Sequence, residues 1–189
     1  MFSPYLARFS SFLLVVSFIS CAGDQRPLSE SDEAEKDHIA HLISQMSLED
    51  KVGQMTQLTL GFLSTSDQQH DGKEKLVDWD KVKTAIETHR VGSILNSAGN
   101  AYPIEEWHRI VNGIQAVALA QPLQIPVIYG IDAIHGTTYT QDATLFPHNL
   151  GMAATRSKVL TRQASLVCAA ETRASGLRWT FDPVFDVGR

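Results

Sequence analysis

Cysteine is nearly absent from this chain, with 2 in 189 residues, so no disulfide framework holds the fold together. The 7 histidines are scattered. No Cys/His cluster has zinc-ligand spacing and there is no His-Glu-x-x-His pair, so nothing calls for a metal. A Gly-rich phosphate loop is also missing, and with it the support for a nucleotide site or any other cofactor. Positive charge is thin: Lys and Arg number 16 against 21 Asp and Glu, a net charge of −5. With no basic stripe, nucleic acid is not an expected partner. Internal repeats and low-complexity tracts are absent. What remains is 43% apolar, 20% charged and 8% aromatic, the composition of a soluble globular protein long enough for one ordinary domain.

The N-terminus differs from the rest. Arg8 precedes the apolar stretch Phe12–Ile19, which is too short to span a bilayer as a lone helix. Small residues follow at Ser20-Cys21-Ala22-Gly23. These are the flanks of a secretory signal over residues 1–21, which implies a secreted or periplasmic protein. Cys21 after Ser20 also resembles a bacterial lipoprotein box, with Phe18 where Leu is usual. On that reading Cys21 is lipidated and anchors the protein to the outer membrane; on the other, the signal is simply cleaved. Residues 22–36, with Pro27 and several Ser, Asp and Glu, are expected to form an exposed tether.

Ile39, Leu42, Ile43 and Met46 share one helical face from about Asp37. Ser47-Leu-Glu-Asp50 is a capping-box variant that starts a second helix, expected to run through Val52, Met55 and Gln57. Asp78 is placed to cap a helix reaching His89, with Val82, Ala85 and Ile86 inward. Three strands are expected, at Val91–Asn96, Pro126–Ile131 and Leu177–Phe181. Between them lie a helix opened by Pro103, carrying Ile104, Trp107, Ile110, Val111 and Ile114 on one face, and a helix capped by Ser157. The latter carries Leu160, Ala164, Val167 and Cys168 on one face and closes at Gly176. Cys168 reads as a small buried residue, and Trp107 and Trp179 as core. Strands alternating with helices imply a parallel sheet or barrel.

The run Gly130-Ile-Asp132-Ala-Ile-His135-Gly136 puts an aspartate, then a histidine and a glycine, on the loop after an apolar strand. Strand C-termini are where α/β barrels build their sites. An ionised carboxylate there accepts charge-assisted hydrogen bonds from neighbouring hydroxyls, which is how one face of a sugar is gripped; the plainer reading is a loop cap or an arginine partner. Gly136 suits a positive φ, and His135 a supporting position. Glu171, in a helix, is expected to pair with Arg173 or Arg178.

This run resembles glycoside hydrolase family 3, the β-glucosidase type. Thr144-Leu-Phe-Pro147 and Phe181-Asp-Pro-Val-Phe-Asp-Val-Gly-Arg189 are similar to further family motifs. The resemblance implies an α/β fold: the N-terminal portion of a (β/α)8 TIM-type barrel, over residues 37–189 and incomplete in this chain. It implies a retaining β-glucosidase that removes terminal β-linked glucose from gluco-oligosaccharides or aryl and alkyl β-glucosides. Asp132 and Arg189 then bind sugar hydroxyls. The family's nucleophilic aspartate, acid/base glutamate and Lys-His pair come later than Arg189, so the 189 residues alone are expected to be inactive. The other class of function considered is a non-catalytic, glycan-binding surface lipoprotein.

Overall fold

The computed structural model describes residues 30–65 and 77–184. The chain divides into two units, Met1–His38 and Ile39–Arg189. The first contributes the beginning of helix α1 (Glu30–Gln45). That helix starts well before Asp37, so the later part of the expected tether is helical, although residues 31–36 are exposed as a tether would be. Asp32 and Glu33 in the first turn complement the helix dipole, and Ala34, Glu35 and Lys36 are good helix formers. The apolar stripe on α1 is not buried: Ile39 and Ile43 are both exposed.

In the second unit, Ser47 and Asp50 close a reciprocal capping box at the start of α2 (Leu48–Gln54). The Ser47 amide and hydroxyl, with Arg90, hold the Asp50 carboxyl below its usual range. Strand β1 (Gln57–Thr59) follows. Asp78 caps α3 (Trp79–Lys83) by accepting from the amides of Asp80 and Lys81, and the helix continues into one π turn, Thr84–Thr88. Then come β2 (Ser93–Leu95), α4 (Ile104–Leu119), β3 (Ile128–Ile131), α5 (Asn149–Ala154), α6 (Lys158–Ala174) and β4 (Trp179–Thr180).

All four strands are parallel and lie in chain order, β1-β2-β3-β4. The sequence suggested three. The missed strand β1 begins at Gln57, which the sequence places in the second helix; that helix stops at Gln54, and with one apolar residue, Leu58, the strand carries no periodic signal. The architecture is α/β, in the arrangement that opens a (β/α)8 barrel.

Register separates the two faces of the sheet. Leu58, Ile94 and Tyr129 are aligned across β1, β2 and β3 and pack with Ile131 into the core formed with α4. Trp107 is its centre. It meets the Tyr102 and Tyr129 rings edge-on at 5.2 and 5.9 Å, and its indole N–H donates to the Tyr139 carbonyl at 2.9 Å. The other face carries Gln57, Ser93 and Ile128 in one row and Thr59, Leu95, Gly130 and Trp179 in the next. It is open: Ile128 is 57% and Trp179 41% exposed. Trp179 is therefore not core, as its strand position suggested. It packs edge-on against Phe181 at 4.6 Å, and the two rings fill the space over Gly130, where an added Cβ would lie 2.5 Å from Phe181.

Helix α6 is held to the loop after β3 by buried hydroxyls. Thr137 and Thr172 share a 2.8 Å hydrogen bond and Thr140 and Ser175 one of 2.9 Å. Cys168 is buried and free, with its thiol on the Ala133 carbonyl. Of the stripe expected on this helix, Cys168 is buried while Leu160 and Val167 are exposed.

Candidate functional site

Strand β3 ends at Ile131, so Asp132 is the first residue of the loop beyond it. Strand β2 ends at Leu95, so Asn96 has the same place one strand over. Asn96 has φ 57°, the left-handed region that asparagine tolerates better than most residues. That turn brings its side-chain amide across to β3. The Asn96 oxygen accepts from the Asp132 backbone N–H at 2.9 Å, and its Nδ2 donates to the Asp132 carboxylate Oδ2 at 2.8 Å. The Asp132 N–H needs an acceptor, which fixes the amide's orientation.

The backbone of Asn96 is tied to the same segment. Its N–H donates to the Gly130 carbonyl at 2.9 Å, and its carbonyl accepts from the Tyr129 hydroxyl at 2.7 Å. Burial pushes the Tyr129 phenol well above its usual range, so it remains a donor at neutral pH. Among the described residues it is Asn96, and not an arginine, that holds the Asp132 carboxylate. A carboxylate offers about four acceptor positions. Asn96 takes one, and the carboxylate is only half-buried.

The loop beyond Asp132 is rigidly supported. Gly136 has φ 109°, and a Cβ there would lie 2.1 Å from the Thr144 carbonyl. Only glycine admits both that conformation and that approach. The His135 carbonyl accepts from the Phe146 N–H at 2.8 Å, and the His135 and His148 rings lie 4.1 Å apart. His135 therefore supports the loop, as expected, and Phe146-Pro147 forms its wall. Glu171 makes a different contact from the arginine pair expected of it. Its carboxylate accepts from the Thr144 amide, at 3.0 and 3.1 Å, and from the Thr144 hydroxyl at 2.7 Å. It thus pins the loop to α6.

Strand β4 delivers Phe181 and Asp182 to the same end of the sheet, with the Phe181 N–H on the Ile131 carbonyl at 3.0 Å. Arg189 and Cys21 lie outside the described residues. Among the described residues no group of three His, Cys, Asp or Glu side chains is placed to hold a metal, and no helix is long and apolar enough to cross a membrane. A cavity of about 990 Å³ opens between α2, β1 and α3, lined largely by apolar groups such as Leu48, Val52, Leu58 and Phe62. Neither Asn96 nor Asp132 lines it.

Asn96 had not stood out in the sequence. Its signal was an asparagine closing an apolar strand ahead of Ser97-Ala98-Gly99, a position suited to positive φ.

Comparison with known proteins agrees with this fold. The lysosomal β-glucosidase of Dictyostelium discoideum is 36% identical over 159 residues, covering 79% of this chain and 19% of that protein. The periplasmic β-glucosidase of Salmonella typhimurium is 26% identical over 157 residues, covering 83% and 17%. Among solved structures, a mutant of the exo-1,3/1,4-β-glucanase of a Pseudoalteromonas species superposes with a TM-score of 0.64 at 28% identity, covering 80% of this chain and 23% of that one. The chain thus spans about a fifth of the length of the curated relatives it matches. The glycosyl hydrolase family 3 N-terminal domain matches residues 47–189, and with the parallel βα order and the loop built around Asp132 and Gly136, the chain belongs to that family.

Proposed function

We propose that this chain is the N-terminal part of a β-glucosidase acting on terminal β-linked glucose. The observation that carries the reading is Asp132: a half-buried carboxylate at a strand end, held from one side by Asn96, with acceptor positions left for two neighbouring sugar hydroxyls. Arg189 supplies complementary donors, since a guanidinium presents several in a fixed fork. Turnover with retention requires two carboxyl groups about 5–5.5 Å apart, and the family resemblance does not place either of them within residues 1–189. Residues 1–21 act as an export signal, residues 22–36 link it to the catalytic part, and the barrel portion begins near residue 37. The periplasmic and lysosomal names of two relatives support an extracytoplasmic site of action. Acylation at Cys21 would anchor the protein there, and mass spectrometry of the mature N-terminus reads it directly.

The test is hydrolysis of p-nitrophenyl β-glucoside by the full-length protein, with Asp132→Asn beside it. Asparagine keeps the shape and loses the charge. Two charge-assisted hydrogen bonds weakened together lower kcat/KM by at least about a hundredfold. A full-length protein that releases no nitrophenol, or an Asp132→Asn variant as active as the parent, overturns the reading. The 189 residues alone are expected to release none.

A further inference from the structure

We infer that Asn96 is a positioning residue for Asp132, orienting the carboxylate toward its ligand. Four hydrogen bonds join Asn96 to residues 129–132, two from its backbone and two from its side chain. The consequence is directional. With Nδ2 fixed on Oδ2 at 2.8 Å, the carboxylate cannot rotate freely, and Oδ1 is left as the principal acceptor. The Asp132 N–H, held on the same amide at 2.9 Å, fixes the Cα from which the side chain springs. Strand ends alone would leave the side chain to choose among staggered rotamers; Asn96 selects one. The left-handed φ of 57° is what lets the amide reach β3, so the residue must combine tolerance of that backbone with a side chain that both donates and accepts. Asparagine satisfies both demands.

The inference rests on Asp132 being a sugar ligand, and the experiment separates the two ideas. In the full-length protein, Asn96→Gly removes the side chain while permitting the positive φ, so the loop is not strained. Asn96→Asp keeps shape, φ tolerance and the acceptor for the Asp132 N–H, but replaces the donor on Oδ2 with a second carboxylate oxygen. Three readouts are taken: KM and kcat on p-nitrophenyl β-glucoside, glucose affinity by calorimetry, and the Asp132 rotamer in crystals of each variant. The expected result is a turned Asp132 carboxylate in both variants, with KM raised and glucose affinity lowered about tenfold, and kcat changed less than KM. A purely structural role would lower the melting temperature and leave KM and the rotamer unchanged; that outcome overturns the inference. If the parent protein neither hydrolyses the glucoside nor binds glucose, the functional reading fails, and the Asp132 rotamer in the Asn96 variants still decides whether Asn96 positions it. Should Asn96→Gly fail to fold, Asn96→Asp carries the same decision.

Discussion

Tyr129 shows how one side chain serves both core and site. Its ring packs on Trp107 while its hydroxyl donates to the Asn96 carbonyl. Burial raises its phenol well above the ordinary tyrosine value, with the nearby Tyr102 adding to the effect. Between about pH 10 and that raised value, the unfolded chain has lost a proton that the folded chain keeps. The contribution to stability is therefore complete below about pH 10 and is lost as pH rises through the raised value. The melting temperature should fall steeply above pH 10, and Tyr129→Phe should flatten that fall while lowering stability at neutral pH. An alkaline limb identical in the two proteins would show that another group controls it. At this scale the sequence was half legible. The place of Asp132 just after β3 and the positive φ at Gly136 were readable because each follows from residue type at a strand end. Asn96 and Glu171 were not, because their partners, Asp132 and Thr144, lie 36 and 27 residues away, and no local pattern encodes such a distance.

At the level of elements, caps were the most legible feature. Ser47, Asp78 and Ser157 each begin a helix and each accepts a backbone amide there, because an N-cap is a local bond between neighbours in sequence. Asp78 caps a helix of only 5 residues before the π turn, so little else holds its first turn. Asp78→Ala should cost about 1 kcal/mol, read as a shift in denaturant midpoint at constant slope; no shift would mean that packing of Trp79 alone sets the helix. The helical stripe of α4 also translated into burial, at Trp107, Ile110, Val111 and Ile114, although Ile104 in its first turn is exposed. The stripes of α1 and α6 did not, since periodicity tells which residues share a face and not whether anything covers it. Strand β1 and helix α5 escaped notice for want of length: 3 and 6 residues are too few for a period to declare itself.

For the molecule as a whole, the two sheet faces have unlike fates. Ile94, Tyr129 and Ile131 on the helix-side face are buried, whereas Ile128 and Trp179 on the other are 57% and 41% exposed, and β1 and β4 each have a neighbour on only one side among the described strands. Open parallel edges and uncovered apolar rows invite association. The 189-residue chain by itself should therefore bind a hydrophobic dye strongly and elute above its monomer mass of 20.8 kDa; a monomer that leaves the dye dark would show that this face is covered within the chain. The sequential strand order has a further consequence, in time. Each strand finds its neighbour in the one made just before it, so pairing never waits for a distant segment. At about 5–20 residues per second of synthesis, the stretch from β1 to β4 leaves the ribosome over on the order of 10 s, long against the microseconds of local collapse. The sheet that carries Asn96 and Asp132 is thus arranged to assemble during translation, one βα unit at a time, each new strand templated on the edge of the last.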